Sequence, residues 1–278
     1  MNPQAASPTE PRTLAPPERR LARVTEVERL GAYSLISALD EGGPQRPRPG
    51  QFYMLATAAR WGGGADERPY LPRAFSYARA RAADEGVELQ FLLEVVGPGT
   101  QRLAELRPGE ELALVGPLGV GFRAPIGEGR PLLVGGGIGA APILCLSEEL
   151  ADASLLLGFR SAAHAEAARL FPGALVMTDD GSVGRRGVVT EALREELERD
   201  RAATVFACGP PPMLEAVRAL CGELGVPAQL ALESSMACGF GACFGCVVST
   251  TDGYIRLCVD GPILDSAQLT EHTLRTDD

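Results

Sequence analysis

Five residues, Gly135-Gly136-Gly137-Ile138-Gly139, follow directly on the apolar run Pro131–Val134 and lead into a helix-like segment from Ala141 to Leu150. An apolar strand that turns at once into a helix calls for a parallel sheet with helices on its faces. The four glycines let the backbone approach a phosphate, whose charge is favoured at a helix N-terminus. The run is GGGIG, shorter than the full dinucleotide fingerprint, and a tight turn that only packs helix on strand calls for the same residues. A second special turn, Cys208-Gly209-Pro210, closes the apolar run ATVFAC. In a parallel sheet both turns fall at the C-terminal strand ends, where ligands bind. The runs ASLLLGF, ALVMTDD and AQLALES complete the strands, and helices are predicted over Ala141–Leu150, His164–Leu170, Val189–Arg199 and Pro212–Leu224.

Upstream, from Arg20 to about Arg123, the pattern is different. RLARVTEVERL, YSLISALD, GQFYMLATA, RAFSYARARA, GVELQFLLEVV and EELALVGPLG read as six short strands broken by glycine and proline. With one helical turn near Gly99–Leu106, they predict a small closed antiparallel barrel. Arg60–Pro69 reads as a loop or hairpin tip. In LPRAFSYA, Arg73 can grip a pyrophosphate, Ser76 can hydrogen-bond a ring atom, and Phe75 or Tyr77 can cover an aromatic ring. A lone arginine on a barrel is more often a solvated surface residue. The GPGT turn, with Gly99 and Thr100, opens a helix and offers further phosphate-binding amides.

Four of the seven cysteines, Cys238, Cys243, Cys246 and Cys258, fall in the spacing C-x4-C-x2-C-x11-C. Thiolates suit zinc, copper(I) or iron–sulfur centres. Zinc sites usually show paired CxxC units, whereas this spacing is that of plant-type [2Fe–2S] clusters. Gly239, Gly241 and Gly245 permit a loop that wraps a cluster and turns backbone N–H groups toward its sulfurs. Val247–Thr250 and Tyr254–Leu257 read as a hairpin that returns the fourth cysteine. Cys145 and Cys221 lie in predicted helices and read as core residues.

Lys+Arg number 26 against 36 Asp+Glu, a net charge of −10 with no clustered basic stretch, which disfavours nucleic acid. No stretch is long and apolar enough for a membrane helix. The proline-rich start lacks the apolar centre of a signal peptide, so the chain reads as cytoplasmic. The predicted division is therefore a disordered proline-rich extension over 1–19, a β-barrel over 20–125, an α/β domain over 126–233, and a small metal module with its tail over 234–278. The two histidines, His164 and His272, sit in no catalytic context.

Taken together these residues resemble the ferredoxin–NADP reductase superfamily. Its R-x-[YF]-S pattern falls on Arg73-Ala74-Phe75-Ser76, its GGGxGxxP motif on Gly135–Pro142, and its CGP motif on Cys208–Pro210. The resemblance implies FAD at the first and NAD at the other two, with Pro142 in the nucleotide site and Cys208 lining the nicotinamide approach. More narrowly, ES-x-MACG-x-GAC-x-GC and the CxDGP that follows resemble electron-transfer subunits of class B dihydroorotate dehydrogenases. That resemblance spans about residues 20 to 265. It implies a heterotetramer with two copies of an FMN-containing catalytic subunit, and an electron path from that FMN through [2Fe–2S] and FAD to NAD+ in de novo pyrimidine biosynthesis. Relatives that exchange electrons between NAD(P)H and ferredoxin, or serve hydrogenase- or sulfhydrogenase-type partners, share the plan. Some carry aspartate at the first cluster-ligand position, where this chain has Cys238. Arg160 and Ser161 follow the second α/β strand, where a basic side chain would suit the 2′-phosphate of NADP.

Overall fold

A computed structural model describes residues 18–62, 70–125, 129–150, 152–270 and 273–274. Residues 1–17 of the expected extension, residues 63–69 of the expected loop, and His272 lie outside the described residues.

The first sheet holds β1 (Arg19–Leu30), β2 (Tyr33–Asp40), β3 (Phe52–Thr57), β4 (Arg73–Ser76), β5 (Arg79–Ala82), β6 (Val87–Glu94) and β7 (Glu111–Leu118), with helix α1 (Pro98–Ala104) between the last two. Its order is β4-β3-β7-β1-β2-β6-β5, antiparallel throughout. The sheet rolls up so that its two edges, β4 and β5, are joined by only Tyr77 and Ala78. The run RAFSYARARA, expected as one strand, is thus two. The break is where Tyr77 turns into the barrel, fully buried, with its hydroxyl donating to the Pro47 carbonyl at 2.7 Å. That placement takes Tyr77 away from the ring-covering role considered for it.

Alternation along β2 and β6 explains why both read as nearly continuous apolar runs. Ile36, Ala38, Val87, Leu89, Phe91 and Leu93 fill the barrel interior, while Tyr33, Leu35 and Leu92 pack on the α/β unit. Glu94 follows Leu92 by two, so it lies on the face that meets that unit.

The second sheet contains β8 (Arg130–Gly136), β9 (Ser154–Phe159), β10 (Leu175–Thr178), β11 (Arg185–Arg186), β12 (Ala203–Cys208) and β13 (Ala228–Ala231), all parallel, in the order β11-β10-β9-β8-β12-β13. Among the described residues four α-helices accompany these strands: α2 (Ala140–Ser147), α3 (Ala162–Ala165), α4 (Val189–Arg199) and α5 (Pro211–Leu224). The predicted His164–Leu170 helix is instead α3 followed by a 3-10 turn over Glu166–Leu170. Helix α4 buries Val189, Ala192, Leu193 and Leu197, the stripe of an amphipathic helix. Helix α2 is buried from Ala140 to Leu146, and Cys145 joins the barrel core, so this helix is the wedge between the two units.

The cysteine-bearing segment forms the hairpin β14 (Val247–Thr250) and β15 (Gly253–Arg256), then α6 (Leu257–Asp260) and β16 (Ile263–Asp265). Expected to belong to neither sheet pattern, the segment in fact ends in the α/β sheet, because β16 pairs antiparallel with the edge strand β13. Three residues are too few to show a period in sequence. One core of Phe52, Met54, Leu118, Val205, Leu230, Cys246 and Cys258 spans all three parts of the chain.

Candidate cofactor site and cysteine loop

Strand β4 presents Arg73, Ala74, Phe75 and Ser76 to a cavity of about 510 Å³, within the range of small-molecule sites. Phe52, Leu92, Glu94 and Thr100 add the rest of the barrel wall. Across from them stand Ile138, Ala141, Pro142 and Cys208 of the α/β unit. Leu232 to Met236 and Pro262 close the third side. One cavity therefore gathers the barrel motif, both special turns and the approach to the cysteine loop.

Arg73 donates to the Leu71 carbonyl at 2.5 Å and stacks over Trp61, 5.9 Å from its ring centroid. Its guanidinium lies against Gly99, where a Cβ would come within 2.7 Å of Nε. Arginine and the first amides of α1 are thus side by side, a donor set suited to a phosphate. The Thr100 hydroxyl is engaged locally: it accepts from the amides of Val96 and Gly97 and donates to the Gly97 carbonyl. Its contribution is to hold the turn.

On the opposite wall, β8 ends at Gly136 beside β12, with Gly135 paired to Cys208. Gly137 has φ +54 and only the Tyr33 hydroxyl within 4 Å of its Cβ position, leaving room at the start of α2. Gly209 and Gly136 both lie against Met213, so side chains there would displace it. Pro210 leads into α5. Burial holds the Cys208 thiol well above its ordinary pKa, and Glu233 adds to the effect; the Glu233 carboxyl is itself raised by burial. Cys208 therefore presents a neutral S–H at physiological pH.

The cysteine loop starts at the cavity wall. Met236 lines the cavity, and two residues later comes Cys238. Gly239, at φ +80, packs on the barrel so closely that a Cβ would sit 2.7 Å from Met54 Sδ. Side-chain hydrogen bonds link Cys238 with Cys243 and Cys258 with Cys246, and Cys238 also acts electrostatically on Cys258. Among the described residues no group of three or more ligating side chains takes up the geometry of a single-ion site. Burial works to raise the Cys238 thiol, but hydrogen bonds from the backbone of Cys243, Phe240 and Ala242 and from the Cys243 side chain outweigh it, bringing it down to about 6. Burial, with the neighbouring Cys246 thiol, pushes Cys258 up to about 12. Cys246 and Cys258 are buried while Cys243 is exposed. Four thiols with backbone donors aimed at sulfur fit an iron–sulfur cluster open to solvent on one side. Arg256, which the sequence did not single out, ties this loop down. Its Nη1 donates to the Gly241 carbonyl at 2.9 Å and its guanidinium lies 5.3 Å from the Phe244 ring centroid.

Two family models match the chain. Residues 233–270 match the iron–sulfur cluster binding domain of dihydroorotate dehydrogenase B, and residues 133–219 match the oxidoreductase NAD-binding domain. The dihydroorotate dehydrogenase B (NAD(+)) electron transfer subunit of Clostridium acetobutylicum is 35% identical over 226 residues, covering 80% of this chain and 86% of its own. That of Geobacillus thermodenitrificans is 37% identical over 240 residues, covering 81% and 88%. Among solved structures, an NADH-dependent reduced ferredoxin–NADP oxidoreductase studied for flavin-based electron bifurcation superposes with a TM-score of 0.76 at 26% identity, over 90% of this chain and 89% of that one. The ferredoxin reductase of carbazole 1,9a-dioxygenase shares the fold at 21% identity and a TM-score of 0.63, over 77% of this chain and 67% of its own.

Proposed function

This chain belongs to the family of dihydroorotate dehydrogenase B electron-transfer subunits, and from that premise we propose how its residues divide the work of passing electrons between a catalytic partner subunit and NAD+. The observation that carries the reading is the one cavity lined by Arg73–Ser76 of β4, by Ile138 and Cys208 from the two special turns with Ala141 and Pro142 of α2, and by Leu232 to Met236, which lead to Cys238.

The cofactors are FAD, a [2Fe–2S] cluster and NAD; a flavin exchanges electrons singly or in pairs, and so joins a one-electron cluster to a hydride carrier. In our assignment residues 20–125 hold FAD. Arg73 and the amides at Gly99 and Thr100 grip its phosphates, and Ala74, Phe75 and Ser76 flank the ring. Residues 126–233 hold NAD. Gly135, Gly136, Gly137 and Gly139 admit the pyrophosphate, Pro142 shapes the helix start, and Cys208, Gly209 and Pro210 border the nicotinamide. Residues 234–278 hold the cluster through Cys238, Cys243, Cys246 and Cys258.

Exposed Cys243 is flanked in the chain by exposed Phe240 and Phe244, and we place the catalytic subunit on that face. The partner carries FMN, two copies of each chain assemble, and the complex works in the cytoplasm beside the NAD pool. Among the described residues no helix is long and apolar enough to cross a membrane.

The deciding experiment measures NADH formation from dihydroorotate with anaerobically prepared, FAD- and cluster-loaded protein, with and without its catalytic subunit. Turnover only in the mixture is expected. Failure with a verified, bound partner, together with rapid ferredoxin reduction by NADH or NADPH, would overturn the assignment. It would favour the ferredoxin-linked reading, to which the bifurcating structural neighbour lends support.

A further inference from the structure

Among the described residues, the acidic and basic side chains lining the cofactor cavity are Arg73, Glu94 and Glu233. Arg73 suits an anion, and burial pushes the Glu233 carboxyl toward its neutral form. Glu94 is the exception. It ends β6 and leads through Val96 into the α1 turn, where the Thr100 hydroxyl accepts from the Val96 amide at 2.8 Å and Gly99 lies against the Arg73 guanidinium. A carboxylate thus stands on the same segment as the phosphate-gripping amides, and FAD brings a negatively charged pyrophosphate. Like charges so placed oppose binding.

The counter-charge comes from the α/β unit. Arg160, just past β9, donates from Nη2 to Glu94 Oε1 at 2.6 Å across the junction of the two units. His164 Nε2 lies 2.9 Å from the same Nη2 and 3.4 Å from Glu94 Oε1. Arginine only donates, so that contact gives Nε2 the acceptor's part and leaves the ring proton on Nδ1, 3.0 Å from the Ser161 hydroxyl. The cation facing Glu94 is therefore Arg160. The His164 ring meets Tyr33 edge-on at 5.7 Å, and the Ala32 amide donates to the Ala163 carbonyl at 2.8 Å, so contacts on either side hold the pair at the junction. The Arg160 side chain is 66% exposed, and so open a pair adds little to folding stability. Its consequence is for the charge of the cavity wall.

We propose that Arg160 is a positioning residue for FAD: by neutralising Glu94 it lets the barrel wall accept the cofactor's pyrophosphate, so that the α/β unit contributes to flavin affinity through the barrel's own carboxylate. The inference rests on FAD occupying this cavity. No local motif announces it, because the two partners are 66 positions apart in sequence.

The test is FAD binding by the full-length chain freed of FAD, followed through the fluorescence of Trp61, the one tryptophan, whose ring centroid lies 5.9 Å from the Arg73 guanidinium. In Arg160→Ala the dissociation constant should rise at least about threefold, as expected when a charge of like sign is left uncompensated within a Debye length of the ligand. Glu94→Gln removes the carboxylate and should bind FAD at least as tightly as the unaltered chain. Adding Glu94→Gln to Arg160→Ala should bring affinity back to within about twofold of the unaltered chain, the non-additivity of two groups that act on each other. Arg160→Lys keeps the charge and should also recover most of the affinity lost in Arg160→Ala. A pair that only clamped the two units together would behave differently: Glu94→Gln would weaken binding as Arg160→Ala does, and the double variant would regain nothing. Either result overturns the proposal, as does unchanged affinity in Arg160→Ala. If the unaltered chain takes up no FAD, the cofactor reading falls and the proposal with it. Weaker binding in Arg73→Ala with unchanged binding in Arg160→Ala sinks only the role of Arg160.

Discussion

Gly139 and Cys208 touch backbone to backbone: a Cβ at Gly139 would lie 2.5 Å from the Cys208 carbonyl carbon and 2.6 Å from the Gly209 nitrogen. The glycine turn after β8 and the Cys-Gly-Pro turn after β12 are thus one interlocked surface. Gly139 is glycine for lack of space, since its φ of −62° suits any residue.

Gly139→Ala should therefore destabilise the fold by about 1–3 kcal/mol, the usual cost of overpacking, and also weaken NADH-dependent flavin reduction. Gly222 in α5 has nothing within 4 Å of its Cβ position. Gly222→Ala should stabilise by about 0.5–1 kcal/mol through helix propensity alone. Urea denaturation of both variants checks the opposite signs.

The relation between Arg73 and Gly99 gives a second expectation. Arg73→Ala removes the guanidinium, and Gly99→Ala pushes it aside, because the atoms a Cβ would meet are the movable end of that side chain. Both variants should fold and yet bind FAD about 10- to 100-fold more weakly, the worth of one charge-assisted interaction. Fluorescence titration of the FAD-free protein with FAD measures this. Unchanged affinity in both would remove Arg73 from the flavin site.

Much of this architecture was legible because short-range rules govern it. The 3.6-residue stripe of α4, the glycine turn feeding α2 and the hairpin before Cys258 are each local patterns. What escaped depends on distant partners. Tyr77 sits in a run that reads as one strand, yet its ring is claimed by the barrel interior, and that splits the strand. Arg256 looks like an ordinary hairpin cation until the fold brings the Gly241 carbonyl to it. Glu94 and Arg160 meet only once barrel and sheet have docked.

Arg256 should matter to cluster retention. Removing its hydrogen bond to the Gly241 carbonyl and its contact with Phe244 loosens the loop that carries Cys238 and Cys243. Arg256→Ala should lower iron per chain by about half or more after anaerobic gel filtration, and Arg256→Lys should recover part of the loss, since groups that hold metal ligands in place commonly affect affinity about 10–100-fold. Full iron in Arg256→Ala would show that the cysteines hold the cluster unaided.

Alkaline pH should unfold the protein earlier than its carboxylates alone would suggest. Burial raises the thiols of Cys145 and Cys221 to about 12, and raises Tyr33, Tyr53 and Tyr77 above their ordinary value. These groups stay protonated in the fold at pH values where the unfolded chain releases protons. Their contribution is fully present below the unfolded thiol pKa of about 9 and is lost as pH rises toward the folded values. Melting temperature should be level from pH 7 to about 8.5 and fall steadily above it, at constant ionic strength. A flat profile to pH 11 would contradict the burial of these groups.

Phe244 offers a test of the proposed docking face. It holds φ +59, a conformation unfavourable for a bulky residue, and is 63% exposed beside Cys243. Strain at an exposed aromatic ring makes sense where a partner uses the ring. Phe244→Gly relieves about 1–2 kcal/mol of backbone strain, partly offset by the roughly 0.5–1 kcal/mol entropic cost of glycine. Loss of the ring's contact with Arg256 offsets roughly a further 0.5–1 kcal/mol, so the variant alone should melt close to the unaltered chain. It should nevertheless bind the catalytic subunit about tenfold or more weakly, as loss of an aromatic anchor commonly costs over 1 kcal/mol. Thermal melting of the isolated chain and interferometry against the immobilised catalytic subunit give the two readings. Unchanged stability with unaltered affinity would move the docking face elsewhere.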